Sequence, residues 1–271
     1  MAFREGFGML KFCANIGMLF PELPFLERFA ACRSAGFHYV EFPFPYAYEP
    51  RLLRALLLDN RLDLILFDLP VDDWDAGGRG SAADPTAVRT FRDGLERAVE
   101  YASALRPKHL TCLVGKRIPG IAHSDQWKIL VDNLQYAADR IQSMAINLLV
   151  EVFNDHDHPD FFLTRVSDAG ALVEAVNRSN FFIQIDTYHT QKMEGNVTSR
   201  VREYFSQIAH IQIGDVPGRH QPGTGKIDFP FFLNTLDQLG YQGWLGLEYI
   251  PLGDTKAALE WLNHVSVSWE R

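Results

Sequence analysis

The amino-acid sequence predicts an α/β protein folded as a single closed (β/α)8 TIM barrel. Its 271 residues fall within the usual size range of that fold, about 200 to 400 residues. Short apolar runs alternate strictly with longer amphipathic stretches along the chain. The runs are apolar almost throughout, as in INLLVEV and FFIQID, which is typical of parallel strands buried on both faces. We expect one barrel domain that spans residues 1–271.

Eight short apolar runs are predicted to be strands. They lie at 10–16, 39–42, 63–67, 110–114, 146–152, 181–186, 209–213 and 244–248. An open, doubly wound parallel sheet would show the same alternation. It is disfavoured because no GxGxxG follows the first strand, and the GGRG at 77–80 lies in a loop after the third. Eight regular strand–helix units favour the closed barrel.

Eight amphipathic stretches are predicted to be helices. They lie at 24–35, 50–60, 85–105, 125–141, 169–177, 198–205, 230–239 and 255–265. The third is the clearest, because apolar residues recur in it at helical spacing: Val88, Phe91, Leu95 and Val99. We expect Asp84 to cap its first turn, Asp228 to cap the seventh helix, and Gly240 to end that helix. The irregular stretch 70–85 is interpreted as a loop over the barrel mouth.

Composition limits the classes of function. A hydrophobic content of 47% excludes a disordered chain, and a net charge of −8 argues against nucleic acid as a partner. Three widely spaced cysteines indicate a reducing compartment rather than a disulfide framework. Arg4, Glu5 and Lys11 interrupt the apolar residues near the N-terminus, so we expect no signal peptide, and no run is long enough to span a membrane. These features predict a soluble cytoplasmic protein and leave a homo-oligomer open.

Side chains with oxygen atoms close four consecutive predicted strands: Glu151, Asp186, Gln212 and Glu248. The C-terminal ends of barrel strands are where this fold places its reactive residues. Lys and Arg are absent from these strands, and carboxylates buried together without a cation cost several kcal/mol each. A divalent cation would remove that cost, and oxygen ligands suit Mg²⁺ or Mn²⁺. Taken singly, each carboxylate fits a structural ion pair equally well, and Gln212 fits a backbone contact.

Two further candidates follow the sixth and seventh strands. Arg219 could bind a substrate carboxylate with two parallel hydrogen bonds, or could be an exposed solubilising residue. His189 could face the site or be an ordinary polar loop residue. The stretch FNDHDHPDFF places His156, Asp157 and His158 together, but its turn residues favour a polar loop over a metal site.

Four long stretches carry a resemblance to a known family: FCANIGMLFPELPFLERFAACRSAGFHYVEFPFPY, FIQIDTYHTQKMEGNVTSRVREY, AHIQIGDVPGRHQP and GYQGWLGLEYIPLGDT. Through them the chain resembles the hydroxypyruvate isomerase family, including the 2-oxo-tetronate isomerases. That family lies within the xylose isomerase-like barrels, which also contain tagatose 3-epimerases and endonuclease IV. The similarity extends over nearly the whole chain.

The resemblance implies conversion of hydroxypyruvate to tartronate semialdehyde, or of 2-oxo-tetronate to 3-oxo-tetronate, through a cis-enediolate. It implies one Mg²⁺ or Mn²⁺ bound by four residues: Glu151, Asp186, Gln212 and Glu248. Glu151 and Glu248 would also transfer protons, while His189 and Arg219 would contact substrate oxygens. A ketose 3-epimerase and a non-catalytic sugar-acid binding protein remain alternatives. An abasic-site nuclease of this fold is disfavoured by the acidic composition.

The chain departs from the expected family pattern at two positions. Asp68 closes the third strand in LILFDLP, where an amide is expected. Gly78 stands in the 77–80 loop, where a glutamate is expected. Both departures concern substrate identity more than the metal ligands.

Overall fold

Eight parallel strands close into a barrel in the computed structural model, which describes residues 9–271. The strands are β1 (Leu10–Asn15), β2 (Tyr39–Glu41), β3 (Asp63–Asp68), β4 (His109–Cys112), β5 (Asn147–Glu151), β6 (Phe181–Asp186), β7 (Ile208–Ile213) and β8 (Trp244–Leu247). Strand β1 pairs with both β2 and β8, which closes the sheet. The predicted barrel is therefore confirmed, with strand ends close to those expected. Arg4 and Glu5, which argue in the sequence against a signal peptide, lie outside the described residues.

The helices surround the barrel in the expected order. They are α1 (Arg28–Ser34), α2 (Pro50–Asp59), α3 (Val88–Leu105), α4 (His123–Ile141), α5 (Val166–Val176), α6 (Thr187–Glu194), α7 (Val197–Glu203), α8 (Phe229–Leu239) and α9 (Thr255–Ala258). Helix α6 was not predicted, because its sequence TYHTQKME carries no regular apolar stripe. The last predicted helix is only partly α-helical, since a 3-10 helix at Glu260–His264 forms its second half.

A ninth strand, β9 (Trp269–Glu270), was also not predicted. It pairs in parallel with Leu10 and Lys11, the first two residues of β1. Within β1, only Ala14 and Asn15, at the other end of the strand, pair with β2. The short β2 thus leaves half of one edge of β1 unpaired, and β9 covers it. An uncovered edge would expose backbone donors and acceptors to other chains.

The two helix caps predicted from sequence have different outcomes. Asp228 accepts a hydrogen bond from the backbone N–H of Phe231 at 3.0 Å and caps α8, as predicted. Gly240 ends that helix with a φ of +72°, a conformation that suits glycine. The Asp84 cap is wrong. Its carboxylate binds the backbone N–H and hydroxyl of Thr86 in a local turn, and α3 begins only at Val88.

The main core lies between the barrel and the helices. Helix α3 contributes a continuous apolar face to it: Phe91, Leu95, Ala98, Val99, Ala102 and Leu105. Full burial of a large apolar side chain stabilises a fold by roughly 1.5–3 kcal/mol. Inside the barrel the side chains alternate along each strand, so Leu149 lies on the same face as Glu151, two residues later. Among residues 9–271, no helix combines the length and apolar character needed to cross a membrane.

We predict that Asp228→Ala lowers the free energy of unfolding by about 1 kcal/mol, the usual effect of losing an N-cap. The carboxylate satisfies one backbone N–H of α8, and alanine leaves that donor unpaired. Urea unfolding followed by circular dichroism measures the change. Gln238→Ala, an exposed position on the same helix, is the control and should have little effect. Equal losses in the two variants would contradict the capping role.

Candidate active site

A cavity of about 320 Å³ opens at the C-terminal ends of the barrel strands. Three of the four predicted metal ligands, Glu151, Gln212 and Glu248, line it. Arg219 also contributes to its wall, and Asp186 lies in contact with that arginine. Strands that run in parallel around a closed barrel all end at one rim. This geometry brings together residues that are far apart in the sequence.

Glu151 and Asp186 lie at the ends of adjacent strands and approach a buried histidine. One ligand atom from each of Glu151, Asp186 and His189 can be chosen so that all three lie within 4.8 Å of one another. All three residues are buried. Asp186 also begins helix α6, because its Oδ1 accepts the backbone N–H of Tyr188 at 2.7 Å. The rigid start of this helix therefore fixes both Asp186 and His189.

Arg219 connects the carboxylates of Asp186 and Glu248. Its Nη2 lies 2.7 Å from Asp186 Oδ2 and 3.1 Å from Glu248 Oε2. The expectation that no cation lies near the acidic residues is therefore wrong, because a loop supplies the arginine. The alternative of an exposed solubilising residue is wrong as well, since only 20% of the Arg219 side chain is exposed. Its Nε is buried and has no hydrogen-bond partner among the described residues.

The loop after β7 that carries Arg219 is organised by Asp215. This buried carboxylate accepts backbone N–H groups at 2.8–3.2 Å from four residues: Val216, Gly223, Gly225 and Ile227. Arg219 itself adopts a φ of +55°, an uncommon conformation for a residue with a side chain. Its backbone donates to Asp215 O at 2.8 Å and accepts from Ile250 N at 2.7 Å. These bonds hold a strained residue in place and direct its side chain into the site.

The amides of Gln184 and Gln212 connect Glu151 to Glu41. The Nε2 of Gln184 donates to Glu151 Oε2 at 2.9 Å and to Gln212 Oε1 at 2.6 Å. The Nε2 of Gln212 donates in turn to Glu41 Oε1 at 3.0 Å. Gln212 therefore contacts side chains, and the alternative of a simple backbone contact does not hold.

The hydrogen bonds of Asn154 fix the protonation of His189. The Oδ1 of Asn154 accepts from Asp157 N at 2.9 Å, so its Nδ2 is the group that meets His189 Nδ1 at 2.6 Å. His189 Nδ1 must then accept. Burial lowers the pKa of His189 well below its usual value, which keeps the ring neutral. A neutral ring that accepts at Nδ1 carries its proton at Nε2. That Nε2 lies 3.6 Å from Asp186 Oδ2.

The acidic groups have raised pKa values. Burial raises the pKa of Glu248 from 4.5 to about 8, although Arg219 opposes the shift. Burial also raises the pKa of Glu151 well above its usual value, and the charges of Glu248 and Asp186 add to the effect. The pKa of Asp186 is raised by burial. Carboxyl groups that share a protected site cannot all ionise without compensation.

The residues of the polar loop after β5 have separate roles. Asp157 forms an ion pair with Lys192 at 2.6 Å, and His156 lies on the exposed side of the loop. Residues 155–158 lie in turns outside the helices and strands, as the loop interpretation predicts. His158, however, lines the cavity and accepts a hydrogen bond from Arg79 Nε at 3.0 Å.

Of the two positions expected to depart from the family pattern, Asp68 lies at the mouth, and Gly78 belongs to a loop that contributes Trp74 to the cavity wall. Asp68 lines the cavity, and burial raises its pKa well above its usual value. The loop that contains Gly78 lies across the mouth as predicted, and its Trp74 forms part of the cavity wall. Arg79 stacks over Trp74, with its guanidinium carbon 3.7 Å from the ring centroid.

The sequence reasoning missed three polar residues of the site: Asn15, Glu41 and Gln184. Asn15 and Glu41 are the last residues of β1 and β2. Examining every strand end, rather than the last four, would have found both. Gln184 lies two residues before Asp186, and the two-residue period of a strand places it on the same face.

Comparison with known proteins identifies the family. The family model described as a xylose isomerase-like TIM barrel matches residues 29–265. Hydroxypyruvate isomerase of Escherichia coli (strain K12) is 42% identical over 255 residues, which cover 94% of this chain and 99% of that protein. The 2-oxo-tetronate isomerase of Pectobacterium atrosepticum is 38% identical, over 93% of this chain and 97% of its own length.

A solved structure supports the same relationship. The crystal structure named AP endonuclease, family 2 from Brucella melitensis matches with a TM-score of 0.91 and 37% identity. The match covers 94% of this chain and 99% of that one. The family model covers most of the chain, and the curated relatives match nearly all of it. This chain therefore belongs to the xylose isomerase-like TIM barrel family and, within it, to the hydroxypyruvate isomerase family.

Proposed function

We propose that the protein is a divalent-cation-dependent isomerase of a small hydroxy-oxo acid. The substrate is hydroxypyruvate, converted to tartronate semialdehyde, or 2-oxo-tetronate, converted to 3-oxo-tetronate. The observation that carries the proposal is the placement of Glu151 and Glu248 around one cavity, together with Arg219. The names of the relatives that match nearly the whole chain supply the reaction class.

The residues present fit a divalent cation. The oxygen Glu248 Oε2 is buried, and its one ion-pair partner among the described residues is Arg219 Nη2 at 3.1 Å. Burial and then the neighbouring negative charges raise the pKa of Glu151. A cation would favour the ionised form of these groups. We assign the ligands to Glu151, Asp186, Gln212 and Glu248, a set of oxygen donors that suits Mg²⁺ or Mn²⁺. When bound, such an ion supplies Lewis-acid polarisation of substrate oxygens.

Glu151 and Glu248 are the proton-transfer groups in this proposal. One glutamate removes the proton from the hydroxyl-bearing carbon, which gives a cis-enediolate. The hydroxyl proton passes to the former carbonyl oxygen, and a proton returns to the former carbonyl carbon, so that the carbonyl moves to the neighbouring position. A carboxylate that exchanges protons near neutral pH needs a raised pKa, and burial raises the pKa of both glutamates. The two residues follow the fifth and eighth strands, so they approach the substrate from different sides of the cavity.

His189 and Arg219 are the substrate-binding groups. His189 presents an Nε2–H donor, which suits a bond to a substrate oxygen better than coordination of a cation through Nε2. Arg219 retains an unpaired Nε–H, although Nη2 is bound to Asp186 and Glu248. That donor is available to a substrate carboxylate. A compact anionic substrate would therefore lie in the cavity that the arginine and the two glutamates line.

The rival functions have less support. Similarity to solved epimerases, such as D-allulose 3-epimerase from Methylomonas sp. at 24% identity, concerns the fold alone. The abasic-site nuclease named for the Brucella melitensis structure would need a basic DNA-binding face, whereas this chain has a net charge of −8. We also propose a cytoplasmic location, supported by three free cysteines, all buried.

An assay with purified protein and Mn²⁺ or Mg²⁺ tests the proposed reaction. Hydroxypyruvate, 2-oxo-tetronate and a neutral ketose are supplied separately, and the products are identified by NMR. We expect conversion of a hydroxy-oxo acid that stops when EDTA removes the cation. Epimerisation of the neutral ketose alone would favour the epimerase, and tight binding of the acids without turnover would favour a binding protein.

We predict that Glu248→Gln abolishes most turnover and leaves the fold intact. The amide cannot exchange the proton, and a general acid or base typically contributes about 10²–10⁴-fold to the rate. The kcat on the preferred acid measures the effect, and thermal unfolding checks the fold. A variant that isomerises as fast as the parent would show that Glu248 is not a proton-transfer group.

We expect Arg219→Ala to raise KM for the acidic substrates about tenfold or more, since a hydrogen bond to a charged group contributes roughly 1.5–3 kcal/mol. KM for a neutral ketose should change little. Arg219→Lys is the matched control, because it keeps the charge but loses the forked donors. Its KM for the acidic substrates should lie between those of the parent and Arg219→Ala. An unchanged preference between acidic and neutral substrates would rule out the carboxylate contact.

Glu248 should also make the stability of the metal-free protein depend on pH. Its pKa is raised from 4.5 to about 8 in the folded state. The folded protein thus binds this proton more tightly, and the resulting stabilisation, complete below about pH 4.3, is lost as the pH rises through about 8. The free energy of unfolding, measured with urea in EDTA, should fall less between pH 5 and 9 for Glu248→Gln than for the parent. Parallel curves would contradict the raised pKa.

A further inference from the structure

Beneath the proposed metal ligands lies a buried carboxylate that the mechanism does not use. Glu41, the last residue of β2, has no solvent exposure. Its Oε1 accepts from Asn15 Nδ2 and from Gln212 Nε2, each at 3.0 Å, and its Oε2 lies 2.8 Å from His210 Nε2. No Lys or Arg among the described residues forms an ion pair with it. Burying a carboxylate without a full counter-charge costs several kcal/mol, so its retention needs a reason.

The barrel also makes room for this carboxylate. Gln212 of β7 is in register with Gly246 of β8. A Cβ atom at Gly246 would collide with the Glu41 carboxyl group. The absence of a side chain at that position lets Glu41 reach across the barrel interior from β2 to β7.

Glu41 determines how a chain of hydrogen-bonded amide groups is oriented. The oxygen and nitrogen ends of a glutamine amide have nearly the same size, so their partners decide which way the group faces. The Glu41 oxygen that Gln212 meets, Oε1, also accepts from Asn15 Nδ2 and acts here as an acceptor, so Gln212 turns its Nε2 toward Glu41. The Oε1 of Gln212 then faces Gln184, whose Nε2 also donates to Glu151. Thr111 Oγ1 donates to Gln184 Oε1 at 2.6 Å and completes the chain.

A reversed Gln212 would meet unfavourable partners at both ends. Its oxygen would face the carboxylate of Glu41, and its NH₂ group would face the NH₂ group of Gln184. In the observed orientation, the carbonyl oxygen lies on the side of the chain that leads to Glu151. One hydrogen bond from Gln184 leaves that oxygen a second lone pair for another partner.

We propose that Glu41 is a positioning residue. By accepting the amide N–H of Gln212, it directs the Gln212 carbonyl oxygen toward the side on which Glu151, Asp186 and Glu248 lie, and so sets the affinity of the site for a divalent cation. This inference rests on the proposed function, because it assumes that Gln212 is a ligand. Residues that orient ligands typically change metal affinity about 10- to 100-fold when they are replaced.

The test is the affinity of purified, metal-free protein for Mn²⁺, measured by the EPR signal of free Mn²⁺ during titration. In Glu41→Gln the new amide has nearly the same volume but can also donate, so a reversed Gln212 is no longer penalised at this end of the chain, and only the Gln184 end still opposes it. We expect the dissociation constant for Mn²⁺ to rise about 10- to 100-fold. Thermal unfolding of each variant measures how much fold stability has changed.

Tyr241→Phe is the matched control. Tyr241 is buried and its hydroxyl donates to the backbone oxygens of Trp244 at 3.2 Å and Ala209 at 3.4 Å, so the variant loses a buried hydrogen bond but none of the hydrogen bonds in the amide chain. It should lower the unfolding temperature and leave the Mn²⁺ affinity unchanged. A purely structural Glu41 would make Glu41→Gln behave like Tyr241→Phe, and that result would overturn the proposal.

The exchanged pair Glu41→Gln/Gln212→Glu provides a rescue. The amide introduced on β2 can donate to the carboxylate introduced on β7, whereas Gln212→Glu alone places two carboxylates against each other. We expect the exchanged pair to unfold at a higher temperature than Gln212→Glu and to bind Mn²⁺ more tightly than Glu41→Gln. Failure of this pair to fold or to regain Mn²⁺ affinity would count against the positioning role.

The outcomes separate the two proposals. If the parent protein binds Mn²⁺ and isomerises the acid while Glu41→Gln keeps full affinity, only the role of Glu41 is wrong. If the parent protein binds no Mn²⁺, the proposed metal-dependent function is wrong, and the role of Glu41 falls with it.

Discussion

Several carboxyl groups are buried together at one rim of a closed barrel, and the surrounding structure must compensate their charge. Parallel strands bring Glu151, Asp186 and Glu248 to the same end of the sheet. Burial disfavours the charged form of each group, and each additional negative charge makes the next one harder to ionise; together they raise the pKa of Glu151. Three devices offset the cost: the guanidinium of Arg219, backbone and amide donors, and protons held by the carboxyl groups. The same arrangement underlies the proposal of a bound divalent cation and of two proton-transfer glutamates.

The compensating cation comes from a loop, and the loop is held as firmly as the strands. Asp215 accepts four backbone N–H groups of the segment after β7, and this network supports the left-handed backbone at Arg219. A flexible arginine would lose conformational entropy on pairing with Asp186 and Glu248. A pre-positioned one avoids most of that loss. The precision of the site therefore depends on a buried aspartate that never faces the cavity.

Sequence patterns predicted much of this arrangement. Apolar alternation located all eight barrel strands, because strands buried on both faces exclude polar residues until they reach the rim. The rule that reactive groups follow strand ends located Glu151, Asp186, Gln212 and Glu248. The same rule applied to β1 and β2 would have found Asn15 and Glu41.

Other features required coordinates because they depend on long-range contacts. Arg219 could be identified as a candidate, but its pairing with Asp186 and Glu248 depends on how the loop folds back. Helix α6 lacks an apolar stripe, since the side chains of its first turn are buried in the polar site. The cap predicted at Asp84 failed because a local turn with Thr86 competed for the carboxylate. In each case a specific polar partner, rather than hydrophobic periodicity, determined the local structure.

The short outer strand β9 has a practical consequence for handling the protein. It protects the first half of β1, through backbone pairing to Leu10 and Lys11 and through contact of the Phe12 and Trp269 rings, whose centroids lie 5.5 Å apart. If an exopeptidase removed the C-terminal residues as far as Trp269, part of the edge of β1 would lose its backbone partners. An unpaired strand edge can pair with strands of other molecules. Preparations that lose a few C-terminal residues would therefore be prone to aggregate, although they would keep every residue of the proposed active site.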